Sequence, residues 1–147
     1  MNPVLREMKL TDMDAIMRIE QQVHAHPWTR GNFADALASA YLCKVYEDDG
    51  EVLGYVVLMP AVDEMELLNI SIAAAQQRKG LGRRLLDEAI AIARDMKAQR
   101  ILLEVRPSNT AALGLYSHAK FREIALRRGY YSAVSGREDA IVMERPL

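Results

Sequence analysis

The segment Gln77-Arg78-Lys79-Gly80-Leu81-Gly82-Arg83 sets two glycines among three cations, a combination suited to holding a phosphate group. Glycine admits positive φ and lets an anion approach the backbone with no Cβ in the way. Arg78, Lys79 and Arg83 add positive charge. The segment follows an apolar run from Glu66 to Ile72 that reads as a strand. It precedes Leu85, Leu86, Ala89, Ile90, Ala93 and Met96, which recur at helical spacing. A helix starting there turns unpaired N–H groups and the positive end of its dipole toward the glycines. Binding of a pyrophosphate is therefore expected, with a merely solvated basic loop as the alternative. Two common phosphate motifs do not fit: the chain has no G-x-x-x-x-G-K-[ST], and the third glycine of G-x-G-x-x-G would fall at Leu85.

Three further residues carry groups that could take part in chemistry. In Ile101-Leu102-Leu103-Glu104-Val105, strand alternation puts Glu104 on the face opposite Ile101, Leu103 and Val105. The strand is expected to be buried on both faces, so a carboxylate there needs a partner. An ion pair with Arg106, two residues along, and a role as a base are equally consistent with the residues. Tyr116 falls on the inward stripe of a short helix, where plain packing of its ring is the competing reading. Asn109 stands where that helix begins and is placed to cap it.

The elements that position these groups follow from the punctuation of the chain. A strand is expected near Val4 to Met8, then a helix opened by Thr11 with Asp14 three residues on. His24-Ala25-His26-Pro27 ends that helix, and Thr29 caps a second, with Trp28 and Phe33 placed to close a hydrophobic staple. Tyr41 to Tyr46 and Val52 to Met59 form a hairpin around Asp48-Asp49-Gly50. Glu66 to Ile72, the helix after the glycine loop and Arg100 to Arg106 make a βαβ crossover, with the loop at the carboxyl edge of two parallel strands. A helix over Thr110 to His118 and an antiparallel pair, Phe121 to Arg127 with Ala140 to Glu144 around a long loop, complete the order β, α, α, β, β, β, α, β, α, β, β. The expected class is α/β, a mixed, mostly antiparallel sheet with one parallel crossover.

Gln77-x-x-Gly80-x-Gly82 and this order of elements resemble the GCN5-related N-acetyltransferase (GNAT) family. Leu103-Glu104-Val105-Arg106, Ser108-Asn109, Ala112, Leu115 and Tyr116 are similar to a second cofactor motif of that family. His24-Ala25-His26-Pro27-Trp28, Arg127-Arg128-Gly129-Tyr130-Tyr131 and Gly136-Arg137-Glu138-Asp139-Ala140-Ile141 resemble its bacterial branch that acetylates the N-terminal alanine of small-subunit ribosomal protein eighteen. The resemblance implies acetyl-CoA as acyl donor and a protein α-amine as acceptor. Acetyl transfer from a thioester to an ammonium needs a base, donors for a developing oxyanion and an acid for the thiolate. By resemblance, Glu104 is the base, directly or through water, and Tyr116 the acid. Ile70, Ser71 and Ile72 pair through their backbone with the pantetheine arm. Arg78, Lys79, Gly80, Leu81, Gly82 and Arg83 hold the pyrophosphate, and Asn109 also contacts the cofactor. Trp28, Tyr130, Tyr131 and Asp139 line the acceptor slot, where Glu138 or Glu20 could also attract a cationic N-terminus. Alternatives are a lysine or small-molecule amine acetyltransferase and a non-catalytic acyl-CoA sensor.

Composition narrows the field. At 147 residues the chain is expected to form a single domain over 1–147, with no linker or repeat. Nineteen basic and twenty acidic residues leave no basic stripe, so nucleic acid is not an expected direct ligand. No apolar stretch reaches membrane-span length, so no membrane partner is expected and a cytoplasmic location follows. One cysteine, Cys43, excludes an internal disulfide and is expected to be buried in a strand. His24 and His26 point to different sides of a helix and His118 stands apart, so no metal is implied. A monomer or weak dimer is expected.

Overall fold

The structure, a computed structural model, describes residues 2–134 and 136–147. The elements are β1 (Val4–Glu7), α1 (Met13–Val23), α2 (Arg30–Ala38), β2 (Leu42–Asp48), β3 (Glu51–Ala61), β4 (Glu64–Ile72), α3 (Leu81–Asp95), β5 (Arg100–Val105), α4 (Thr110–His118), β6 (Arg122–Ala133) and β7 (Gly136–Pro146). Their succession is the expected one, and hydrogen-bonded neighbours run in the order β1-β2-β3-β4-β5-β7-β6. The chain groups into two compact units, Met1–Pro60 with Leu67–Ala89, and Ala61–Glu66 with Ile90–Leu147.

In the first unit, β2 pairs antiparallel with β1 and β3. The β2–β3 turn has positive φ at Asp49 (52°) and Gly50 (81°), the left-handed pair that a tight hairpin of right-handed twist requires. α1 buries Met13, Ile16, Met17 and Ile19 against Phe33 of α2 and Val45, Tyr55 and Val57 of the strands. Cys43 joins this core, as expected, and burial pushes its thiol up. The expected cap at Thr11 is displaced. A 3-10 turn over Leu10–Asp12 precedes α1, and the Asp12 carboxylate accepts from the Lys9 N–H at 2.8 Å and takes both ends of the Arg6 guanidinium at 2.8 and 2.9 Å. α2 begins as expected. Thr29 and Asn32 form a reciprocal capping box, and the rings of Trp28 and Phe33 stand 5.0 Å apart, closing the staple.

α3 buries Leu81, Leu85, Leu86, Ala89, Ile90 and Ala93. Met96, expected on the same face, falls beyond the last turn and is 48% exposed. Lys97 there takes φ 64° and Ala98 N–H closes on Ala93 O at 3.0 Å, a left-handed helix stop. β4 and β5 are parallel, with Glu64, Met65 and Glu66 opposite Arg100, Ile101 and Leu102. The crossover is as expected.

In the second unit, β7 lies antiparallel to both β5 and β6. The burial of β5 corrects one expectation. Ile101, Leu103 and Val105 are buried, but Arg100, Leu102 and Glu104 are only half-buried. One face of the strand is thus closed and the other carries the charges. There Glu144, opposite Leu102, accepts from Arg100 at 2.9 Å and Arg122 at 2.7 Å. The expected long loop after β6 is also replaced. β6 and β7 continue as paired strands to Ala133 and Gly136, and the irregularity falls inside β6, between Arg127 and Tyr131.

Candidate active site

The glycine loop lies wholly in the first unit. Its strand end is set by a close approach in which a Cβ on Gly54 of β3 would stand 2.5 Å from Ser71 O and 2.7 Å from Ile72 Cδ1. Only glycine fits there. Gln77, the first residue of the motif, donates its side-chain amide to Ile72 O at 3.0 Å and so ties the loop back to β4. Arg78 (φ 63°) and Gly80 (φ 80°) take the left-handed conformation. Nothing lies within 4 Å of the place a Gly80 Cβ would occupy. Gly80 O accepts from Arg84 N–H at 3.1 Å, which makes Gly80 the helix cap and turns the start of α3, from Leu81, toward the loop. Gly82, expected to share the positive φ, instead lies within the first turn of α3. Leu81 is 3% exposed, so its side chain belongs to the core and not to the loop surface. Arg83 donates along the helix to Asp87 at 3.0 Å, and Arg78 and Lys79 are exposed. An open positive-φ glycine, a helix N-terminus and two exposed cations fit a pyrophosphate.

The acid–base candidates lie in the second unit. Glu104 pairs with Arg127 of β6 at 3.5 Å, not with Arg106. Arg106 reaches Ser132 O at 2.8 Å and Glu138 at 3.2 Å, and its guanidinium lies 4.2 Å over the Tyr131 ring. Glu66 stands opposite Leu102, on the same face as Glu104. Burial and then the Glu104 charge raise its carboxyl above the ordinary value. Tyr116 is buried, its ring 5.7 Å from Phe121, and no hydrogen bond to its hydroxyl is found among the described residues. Burial raises its phenol well above the usual tyrosine value, with a smaller push from Tyr131. Tyr131 in turn is pushed up to about 12 by burial, then by Glu104 and Tyr130. Tyr131 thus stands in the field of Glu104, a link that sequence spacing did not signal. Asn109 caps α4 by accepting from Ala112 N–H at 3.2 Å.

The irregular stretch of β6 is held by Arg137 and Asp139 of β7, and Glu138 between them holds the segment after β5. Arg137 donates to Gly129 O and, at 3.0 Å, to Tyr130 O. Asp139 accepts from Gly129 N–H at 2.8 Å, where Gly129 takes φ 58°. Glu138 accepts from Ser108 N–H at 2.9 Å and from Arg106, and the Ser108 contacts, then Arg106, hold its carboxyl below the ordinary range. Tyr130 and Tyr131 meet edge to face at 5.0 Å. Tyr130, 45% exposed, lies under Arg127. Sequence reasoning placed Asp139 at an acceptor slot and missed Arg137. The Gly136-Arg137-Glu138-Asp139 run was visible, but its partners are set by the β6–β7 register. In the first unit Trp28 N–H donates to Glu20 at 2.9 Å, and Glu20 is 1% exposed, so it is closed to the cationic N-terminus it was expected to be able to attract. Among the described residues no group of three or more His, Cys, Asp or Glu is placed to hold a metal, and no helix is long and apolar enough to cross a membrane.

The model of the acetyltransferase (GNAT) family matches residues 11–121. The chain belongs to the GNAT acetyltransferase family. Among curated GNAT relatives, the [ribosomal protein bS18]-alanine N-acetyltransferase of Escherichia coli (strain K12) is 37% identical over 143 residues, 97% of each chain. A putative enzyme of the same description from Bacillus subtilis (strain 168) is 33% identical over 95% of this chain and 92% of its own. The crystal structure of the Escherichia coli ribosomal-protein-S18-alanine N-acetyltransferase superposes with a TM-score of 0.90 at 36% identity, covering 99% of this chain and 94% of that one. Ard1 from Thermoplasma volcanium superposes at 0.89 with 25% identity, over 100% and 99%. The seven-stranded GNAT sheet with a single parallel pair is thus the fold seen here.

Proposed function

We propose that this chain moves an acetyl group from acetyl-CoA to the α-amine of an N-terminal alanine, with ribosomal protein bS18 as acceptor, as a cytoplasmic enzyme. The acceptor assignment rests on similarity across 97% of both chains to the Escherichia coli relative of that description. The chemistry rests on one observation: Tyr116 is buried against Phe121 with no hydrogen bond to its hydroxyl among the described residues, while Glu104 is held by Arg127 on the open face of β5.

Acetyl-CoA supplies an activated thioester. Residues Arg78, Lys79, Gly80 and Arg83 and the first-turn amides of Leu81 and Gly82 hold its pyrophosphate. Backbone groups of Ile70, Ser71 and Ile72 hold the pantetheine arm and offer an N–H to the carbonyl oxygen, and Asn109 contacts the cofactor besides capping α4. Glu104 takes the proton of the acceptor ammonium, directly or through water. An α-amine of reference pKa about 7.7 to 8.0 makes that a small demand near neutral pH. Arg127 fixes the direction of the Glu104 carboxylate. Tyr116, whose raised pKa keeps its proton in place at neutral pH, gives that proton to the departing thiolate. Trp28, Tyr130, Tyr131 and Asp139 shape the acceptor slot, Asp139 through its hold on Gly129.

The test is product mapping. Acetyl-CoA is offered with basic peptides beginning with alanine, and with copies whose α-amine is blocked and lysines left free, and the label is located by tandem mass spectrometry. Acetyl on the α-nitrogen alone is expected. Acetyl on lysine, or none despite cofactor binding, overturns the proposal in favour of a lysine or small-molecule enzyme or an acyl-CoA sensor.

A further inference from the structure

A carboxylate 1% exposed, Glu20 of α1, sits in the first unit among groups that can only donate to it. Its Oε2 accepts from Trp28 N–H at 2.9 Å. Its Oε1 accepts from Tyr55 O–H at 2.7 Å and from the Asn69 side-chain amide at 3.0 Å, with His24 Nε2 at 3.6 Å. The chain of bonds continues with a defined direction. Ser71 Oγ–H donates to Asn69 Oδ1 at 2.9 Å, so the 2.6 Å contact between Ser71 Oγ and His24 Nε2 has the imidazole N–H as donor. Burying a charge is costly unless every lone pair is used, and packing alone is served better by an apolar residue of this size. The arrangement therefore calls for a reason beyond stability.

The geometry points to Glu20 as a positioning residue for acetyl transfer, acting through Trp28. Residues 24–29 lie between α1 and α2 with neither helix nor strand pairing. The fixed points of Trp28 are its ring on Phe33 and its N–H on Glu20. Asn69 and Ser71, by contrast, belong to β4, whose backbone is held by sheet pairing whatever their side chains do. Glu20 thus ties the Trp28 elbow, which has no backbone pairing of its own, to the paired β4 end that precedes the glycine loop. The inference rests on the acetyl-transfer reading above, in which Trp28 lies on the acceptor side. It follows that loss of the Glu20 charge loosens acceptor binding and leaves acetyl-CoA binding intact. Glutamine, equal in size, cannot satisfy these donors together. Its NH2 group faces either Trp28 N–H, which cannot reverse, or Tyr55 and Asn69, which must then turn and take Ser71 with them.

Trp28 is the one tryptophan of the chain, so its emission reports on the elbow without reference to activity. Glu20→Gln is expected to red-shift that emission and to raise the KM for an alanine-leading peptide by about tenfold, the effect of one hydrogen bond to a buried charge, with the KM for acetyl-CoA unchanged. Tyr55→Phe removes a donor to Oε1 and spares the Trp28 bond. It serves as the control for general destabilisation and is expected to leave emission and peptide KM at wild-type values. If Glu20→Gln fails to fold, Glu20→Asp, too short to reach Trp28 N–H, carries the same test. A Glu20 variant with wild-type emission and peptide KM overturns the proposal, as does a Tyr55→Phe variant that shifts equally far. Failure of the acetyl-transfer reading looks different: the wild type itself then acetylates no α-amine.

Discussion

Gly54→Ala tests how tightly β3 and β4 must approach at the strand end that leads into the glycine loop. The added Cβ would lie 2.5 Å from Ser71 O and 2.7 Å from Ile72 Cδ1, whereas a carbon–oxygen contact settles near ~3.3–3.6 Å. The Ile72 methyl can rotate aside, but the Ser71 oxygen is backbone and moves only with β4. An enforced shift of this kind in a packed interior costs about 1–3 kcal/mol, and at roughly 2–4 °C per kcal/mol for a chain this long the melting temperature should fall by roughly 2–12 °C. Ile70 to Ile72 are also the residues assigned to the pantetheine arm. Calorimetric titration with acetyl-CoA should therefore show weaker binding alongside the lower melting temperature. Gly80→Ala makes an instructive contrast. Its Cβ would meet nothing within 4 Å, so its cost, about 1–2 kcal/mol, comes from holding alanine at φ 80°. A Gly54→Ala protein that melts with the wild type and binds acetyl-CoA as tightly would refute the reasoning.

Arg137→Ala releases the carbonyls of Gly129 and Tyr130 and should raise the KM for acceptor peptide in steady-state assays while acetyl-CoA affinity, measured by titration, stays at the wild-type value. Thr29→Ala removes the cap of α2 and should cost about 0.5–2 kcal/mol in urea unfolding. The Asp12 carboxyl is held below its ordinary 3.8 by the Arg6 guanidinium. Its stabilising contribution is full above that ordinary value and lost as pH falls through the lower folded one, because the unfolded chain binds the proton first. Asp12→Asn should accordingly be less stable than the wild type near neutral pH and lose less stability on acidification, as measured by urea unfolding at several pH values.

Local signals in the sequence were sufficient for the element order, the Thr29 cap, the Trp28–Phe33 staple and the Asp49-Gly50 hairpin, because each is decided within a few residues. The glycine loop was legible for the same reason, although the placement of Gly82 inside the first helical turn was not. What escaped depends on register between distant segments. Glu104 meets Arg127 instead of Arg106 because β7 lies between β5 and β6, a neighbour relation that no local spacing encodes. The β6–β7 pairing extends to residues 133 and 136, with Arg137 and Asp139 holding an irregular stretch that a turn-based reading takes for a loop. Asp12 replaces Thr11 as the start of α1 because Arg6 and Lys9 converge on its carboxylate. Glu20 read as an acid that could attract a cationic N-terminus because its donors, from residues 28, 55 and 69, lie beyond its own helix.

The central claim is that Glu104 and Tyr116 move the two protons of acetyl transfer. Single-turnover acetylation of an alanine-leading peptide by Glu104→Gln and Tyr116→Phe, with acetyl-CoA affinity measured on the same preparations, tests it most directly. Rates reduced by about 10²–10⁴ at wild-type cofactor affinity are expected for each variant; wild-type rates in both would mean that neither residue moves a proton in the reaction.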